Sequence, residues 1–304
     1  MSYGFFAVYI FTGLFSVVRG SAQVTTVSVS PGTTDATIRA IHGNHLVYLP
    51  AAPKKDRLVL MIVGTGGQAK DNPAFTSTVA LMGYHVISLD YKNTVITTAC
   101  SDSKDSSCFN RFREEIVFGT PVSEKVEVNV SNSIYSRFFK LLAYLARTYP
   151  DGGWAQYIDG NNIQWKNIIV AGHSQGAGHA AYLGQRFPVS RVLVFSGPQD
   201  YLDNFRHPAS WLSAKSATPS ARVFVFLHVK DPFDFNKQLA NCKTLLGQTR
   251  TDTVLIQPGA VIRGTSHILV TDISSPNAHG SVLEPRFANA WKYMLENNVT
   301  SSRK

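Results

Sequence analysis

Charge is scarce in this chain: of 304 residues, only 16% are Asp, Glu, Lys or Arg. The 29 Lys and Arg outnumber the 20 Asp and Glu and give a formal charge of +9, yet they gather into no basic run. Clustering is what makes an electrostatic footprint for nucleic acid, so no nucleic-acid partner is expected. There are only three cysteines, and no Cys and His stand at the spacing of a metal site. No internal repeat or low-complexity segment interrupts the chain. Apart from residues 5–18, no apolar run approaches the length of a membrane span, and that one is short for it. The length allows one sizeable core or two domains.

The apolar run at 5–18 is followed by Gly20-Ser21-Ala22, small residues suited to a cleavage position before Gln23. Residues 1–22 are therefore expected to be a signal peptide, leaving no stable membrane span after cleavage and a secreted or periplasmic protein. In an oxidising compartment, Cys100 and Cys108 bracket a polar loop that a disulfide would restrain, with Cys242 single and buried in a helix. Asn129-Val130-Ser131 and Asn298-Val299-Thr300 match glycosylation acceptors of a eukaryotic secretory host.

The most informative stretch is Ile168-Ile169-Val170-Ala171-Gly172-His173-Ser174-Gln175-Gly176. A β-branched run reads as a buried strand. Gly172 and Gly176 flank Ser174 at the spacing Gly-x-Ser-x-Gly, and small residues suited to a helix follow, to about 187. Glycines there permit a sharp strand-to-helix turn that lifts the serine hydroxyl and aims free helical N–H groups beside it. Upstream, the apolar run 58–63 ends in Gly64-Thr65-Gly66-Gly67-Gln68. That cluster lacks the lysine and the spacing of a nucleotide-binding loop, but its backbone N–H groups could face a site.

The elbow at Ser174 resembles that of the α/β-hydrolases, and residues 172–181 are similar to a largely microbial group within that superfamily. The resemblance extends over 42–298. It implies an α/β fold with a mostly parallel central sheet, helices on both faces and small cap or loop insertions. A single domain over 23–300 is expected, with insertions at 92–131 and 201–219 near the site and a disordered tail at 301–304. It further implies an oxyanion hole from the N–H of Thr65 or Gly66 with that of Gln175, then an acid and a histidine later in the chain.

His279, in a loop beside Gly280 before the closing helix (285–295), is the expected base, with His267 as the rival. Asp231, after the strand at 221–229, is the first choice of acid, ahead of Asp200 and Asp234. His85, His173 and His179 are read as structural or pocket-lining. Arg111 and Arg113 would either pair with Glu114 or Glu115 or meet an acidic group of a substrate. Residues 253–256 are expected to form the next strand, with 267–271 a short addition.

A serine needs a base to take its proton, and the base needs an orienter. Ser174, His279 and Asp231 would supply both, with no metal or organic cofactor. The expected function is a serine hydrolase acting as a carboxylic ester hydrolase, a monomer working on a small-molecule or polymer ester. A peptidase, a thioesterase, a lyase or haloperoxidase-like enzyme, or a non-catalytic binding protein could share the fold.

Overall fold

A computed structural model describes residues 24–50, 55–247 and 252–297. The expected signal peptide, the tail 301–304 and the acceptor Asn298 lie outside the described residues.

Among the described residues, nine strands form the main sheet. They are β1 (Thr25–Val29), β2 (His45–Leu49), β3 (Leu58–Ile62), β4 (His85–Leu89), β5 (Ile168–His173), β6 (Arg191–Phe195), β7 (Val223–His228), β8 (Thr253–Leu255) and β9 (Ile268–Thr271). Their order is β1-β2-β4-β3-β5-β6-β7-β9-β8. β2 pairs antiparallel with both neighbours, and every pairing from β4 to β8 is parallel. This is the α/β-hydrolase fold, with helices on both faces.

The two faces can be read from single strands. Leu58, Leu60 and Ile62 of β3 point into one core with Val170, Val192, Val194 and Val225. Val59 and Met61 point into the other with Ile169, Leu193, Phe224 and Phe226. Side chains alternate along a strand, so a parallel strand buried on both faces is apolar throughout. The first core is covered by α2 (Cys108–Phe118), α3 (Ile134–Thr148), α4 (Gln175–Arg186) and α5 (Phe235–Leu246). The second is covered by α1 (Pro73–Leu81) and α6 (Ala288–Glu296), whose Phe75, Trp291 and Met294 are fully buried. No helix of the described residues is long and apolar enough to cross a membrane.

The strands expected at 253–256 and 267–271 both form, as β8 and β9, and in the sheet β9 lies next to β7. All four residues of β9 are buried, whereas β8 is a half-exposed three-residue edge beyond it. The excursion at 92–131 is not a loop throughout: it holds α2, which inserts Phe109, Phe112 and Ile116 into the first core. Its charged residues concealed that. Glu115 is buried and its carboxylate accepts from the N–H groups of Val122, Ser123 and Val128 at 2.9, 2.7 and 3.0 Å. In the stretch 201–219, Leu202, Ala209, Trp211 and Leu212 are buried, while residues 204–207 and 213–217 are exposed.

Cys100 and Cys108 form a disulfide that joins the turn Thr97–Cys100 to the first residue of α2. Cys242 is free and buried in α5.

Candidate active site

Parallel pairing puts the carboxyl ends of β3, β5, β6, β7 and β9 on one edge of the sheet, where open α/β sheets bind ligands. The segments leaving these strands carry Thr65, Ser174, Gln199, Asp231 and His279.

Ser174 occupies the turn between β5 and α4 with φ 58° and ψ −122°, a left-handed conformation that costs a non-glycine residue energy. The neighbouring glycines hold it there by steric necessity. A Cβ on Gly172 would sit 2.0 Å from the Gly176 carbonyl oxygen, and one on Gly176 would sit 2.0 Å from that of Ile62. Ser174 N–H donates to the Phe195 carbonyl at 2.9 Å, tying the turn to β6.

His279 lies in the short turn Ala278–Ser281, where Asn277 accepts from the Gly280 N–H at 2.9 Å. Its backbone is pinned twice. His173 Nε2 and Ser196 Oγ both donate to the His279 carbonyl, at 2.9 and 2.7 Å. Its ring packs between those of Phe233 and His173, with centroids 4.6 and 4.7 Å away. Nδ1 of His279 is 2.8 Å from Oδ2 of Asp231, and the other Asp231 oxygen accepts from the Phe233 N–H at 2.9 Å. Burial pushes the Asp231 carboxyl up, but the His279 contact and the Phe233 N–H outweigh it and hold the group below the usual carboxylate range. Nε2 of His279 is buried and makes no hydrogen bond.

Ser174, His279, His173, Gln199, Phe233, Thr65 and Gly64 line one cavity of about 610 Å³. Ile96, Thr97 and Thr98, from the start of the 92–131 stretch, form part of its wall, and no residue of 201–219 does. Gly64 brings the wall close to the serine: a Cβ there would be 3.0 Å from that of Ser174.

The candidate oxyanion donors divide. Gly66 N–H donates to the Asn93 carbonyl at 3.0 Å, so it is turned away from the site. This corrects its candidacy and leaves Thr65, whose hydroxyl donates to the Gln175 side-chain carbonyl. Asn93 clamps the loop further through its amide, which donates to the carbonyls of Gly64 and Gly67, each at 2.8 Å. Gln175 opens α4, and a first helical N–H has no partner within the helix.

The rival residues lie elsewhere. Asp200 is held by Arg113, whose Nε donates to it at 3.0 Å and whose Nη2 donates to its other oxygen. Trp211 Nε1 also donates to Asp200, at 2.8 Å. Both members of this ion pair are fully buried. Arg113 therefore meets neither Glu114 nor Glu115 nor the cavity, and Arg111 pairs with Asp105. Gly178 makes room for the guanidinium, since a Cβ there would lie 2.1 Å from Arg113 Nη2. Asp234 caps α5, accepting from the N–H groups of Asn236 and Lys237. His267 is buried at the opposite end of β9, with Nδ1 2.7 Å from the Val223 carbonyl. His179 is buried against Arg113, which, after burial itself, disfavours its protonation.

Sequence reasoning missed Gln199, Ser196, Phe233 and Asn93. The signal for Gln199 was its place in the exit loop of a parallel strand, where Asp200 alone drew notice. Among the described residues, no three His, Cys, Asp or Glu side chains come together as a metal site.

No protein-family model matches the sequence, and comparison with curated proteins finds no similar sequence. Solved structures show distant likeness. Esterase B from Lactobacillus rhamnosis, inhibited by a C6-C4 SN3 compound, is 14% identical with a TM-score of 0.49, over 90% of this chain and 85% of that one. Dienelactone hydrolase from Anabaena variabilis is 15% identical with a TM-score of 0.44, over 91% and 99%. TT1662 from Thermus thermophilus is 17% identical with a TM-score of 0.44, over 90% and 97%. Likenesses this distant carry no weight for function, and the α/β-hydrolase fold of this chain rests on its own strand order and register.

Proposed function

We propose that the chain is a serine hydrolase that cleaves carboxylic esters through an acyl-enzyme on Ser174. The observation that carries this reading is the 2.8 Å contact between Asp231 and His279, which lines the same cavity as Ser174. Asp231 fixes the His279 tautomer with the proton on Nδ1, leaving Nε2 able to accept the serine proton. Ser174 Oγ attacks the carbonyl carbon as its proton passes to Nε2, and the carbonyl π electrons move onto oxygen. The N–H groups of Thr65 and Gln175 receive that oxyanion. One such donor is worth about 3 kcal/mol in comparable sites. His279 then gives its proton to the departing alkoxide, and water clears the acyl group by the same steps in reverse roles.

The cavity's mixed lining, with Phe233, Ile96 and Leu283 beside Thr97, Thr98 and Asn277, suits a small ester. The Cys100–Cys108 disulfide supports export to an oxidising compartment.

Hydrolysis of p-nitrophenyl esters of rising chain length, run beside peptide and thioester substrates, tests the reading. Ester turnover that is lost in H279A supports it. Cleavage of peptides alone, or full activity in H279A, contradicts it.

A further inference from the structure

Gln199 is almost fully buried, 6% exposed, in the loop that leaves β6. Its side-chain amide nitrogen donates to the Ser196 carbonyl at 2.9 Å and faces Ser174 Oγ at 3.4 Å. The orientation of the amide follows from chemistry. A carbonyl only accepts, so the group turned toward Ser196 must be the NH₂ end. One of its two protons is anchored there and the other is left for the serine oxygen.

The anchor is itself built into the site. Ser196 is fully buried with φ 49°, in the left-handed region. In that conformation its carbonyl holds Gln199 while its hydroxyl donates to the His279 carbonyl at 2.7 Å. One residue thus sets the distance between the Gln199 amide and the backbone of the base.

We propose that Gln199 is a catalytic residue of this site, a side-chain donor to Ser174 Oγ that stabilises negative charge on that oxygen. The proposal rests on Ser174 being the nucleophile. A hydroxyl that accepts from Gln199 keeps its own proton for donation to the unpartnered Nε2 of His279. As that proton leaves, charge builds on Oγ until the new C–O bond forms and the electron pair of the carbonyl moves to its own oxygen. The same charge returns to Oγ in deacylation, when the C–O bond breaks and His279 hands its proton back. A donor fixed beside Oγ lowers the barrier of both steps, because its bond strengthens as charge develops on Oγ and not when substrate binds.

Q199M and Q199E separate this role from packing, because both keep the side-chain length. Each is compared with the wild type for thermal stability, for kcat and KM on one p-nitrophenyl ester, and for the rate of Ser174 labelling by a neutral fluorophosphonate across pH. In Q199M, kcat and labelling rate are expected to fall about 10- to 100-fold, the worth of one hydrogen bond to a charged group, with KM unchanged. In Q199E the loss is expected to be larger at neutral pH, where a carboxylate faces the oxygen, and smaller relative to Q199M as acid protonates it into a donor. Wild-type kcat in folded Q199M overturns the proposal, as does an identical pH profile for the two variants. If the wild type itself is not labelled, the serine hydrolase reading fails instead.

Discussion

Arg113 and Asp200 form an ion pair with no solvent exposure on either side chain, and it lies behind the elbow rather than in the cavity. Arg113 Nη1 also donates to the Gln175 carbonyl at 2.8 Å. The pair therefore braces the first turn of α4, while the other carboxylate in question, Asp231, faces His279.

The two carboxylates should thus fail in different ways. Asp200→Asn leaves Arg113 buried without its counter-charge, which is expected to cost about 3–5 kcal/mol of stability. Asp231→Asn is expected to keep the fold and lower kcat about 10⁴-fold, through loss of the correct histidine tautomer. Urea unfolding and ester hydrolysis on both variants check this. A stable, inactive D200N beside a fully active D231N would reverse the assignment.

Gly176 is sealed against β3. Its Cβ would meet the Ile62 carbonyl oxygen at 2.0 Å, and backbone cannot give way as a side-chain tip can. Gly176→Ala is expected to lower stability by about 3 kcal/mol or more, measured by urea unfolding. A wild-type midpoint would show that the elbow is looser than described.

The disulfide joins residues eight apart. Loop-closure entropy for so short a loop corresponds to about 2.5 kcal/mol. C100S/C108S is expected to lose stability of that order, and to raise KM because Thr97 and Thr98 of the cavity wall belong to the turn that Cys100 ends. Calorimetry and steady-state kinetics on the double variant check both effects. An unchanged melting temperature would contradict the first and an unchanged KM the second.

His45 is fully buried, and its Nδ1 accepts from the Asp90 N–H at 2.9 Å. Burial first, and the Arg137 charge second, push its pKa down from 6.5 to about 3. Between those values the unfolded chain binds a proton that the folded chain does not, so stability falls as pH falls. His45 alone is expected to remove roughly 2 kcal/mol between about pH 7 and pH 5. Urea unfolding of H45Q across that range should show a shallower decline than the wild type. Equal slopes would contradict the assignment.

The parallel core was legible because each strand is apolar on both faces, and the elbow was legible because its glycines are dictated by contacts within a few residues or one strand away. His279 could be singled out because chain order in the resembled family puts a histidine after the last strand, and it lies against Asp231. The rest depended on partners distant in sequence. Nothing near Arg113 reveals that its carboxylate comes from residue 200, and nothing near Glu115 reveals that backbone N–H groups will satisfy it. Helix α2 was hidden for that reason, since buried charge erases the polar stripe that marks a surface helix. The spatial order of β8 and β9 was not legible because two short apolar runs differ in burial only after the sheet has formed. The engagement of Gly66 with Asn93 likewise depends on where the chain returns after β4.

The central claim is that Ser174 is made nucleophilic by His279. Treatment of the folded chain with a fluorophosphonate, followed by peptide mass spectrometry, tests it most directly. The account predicts a single adduct on Ser174 that forms in the wild type and is all but lost in H279A. No adduct, an adduct on a different residue, or equal labelling in H279A would contradict it.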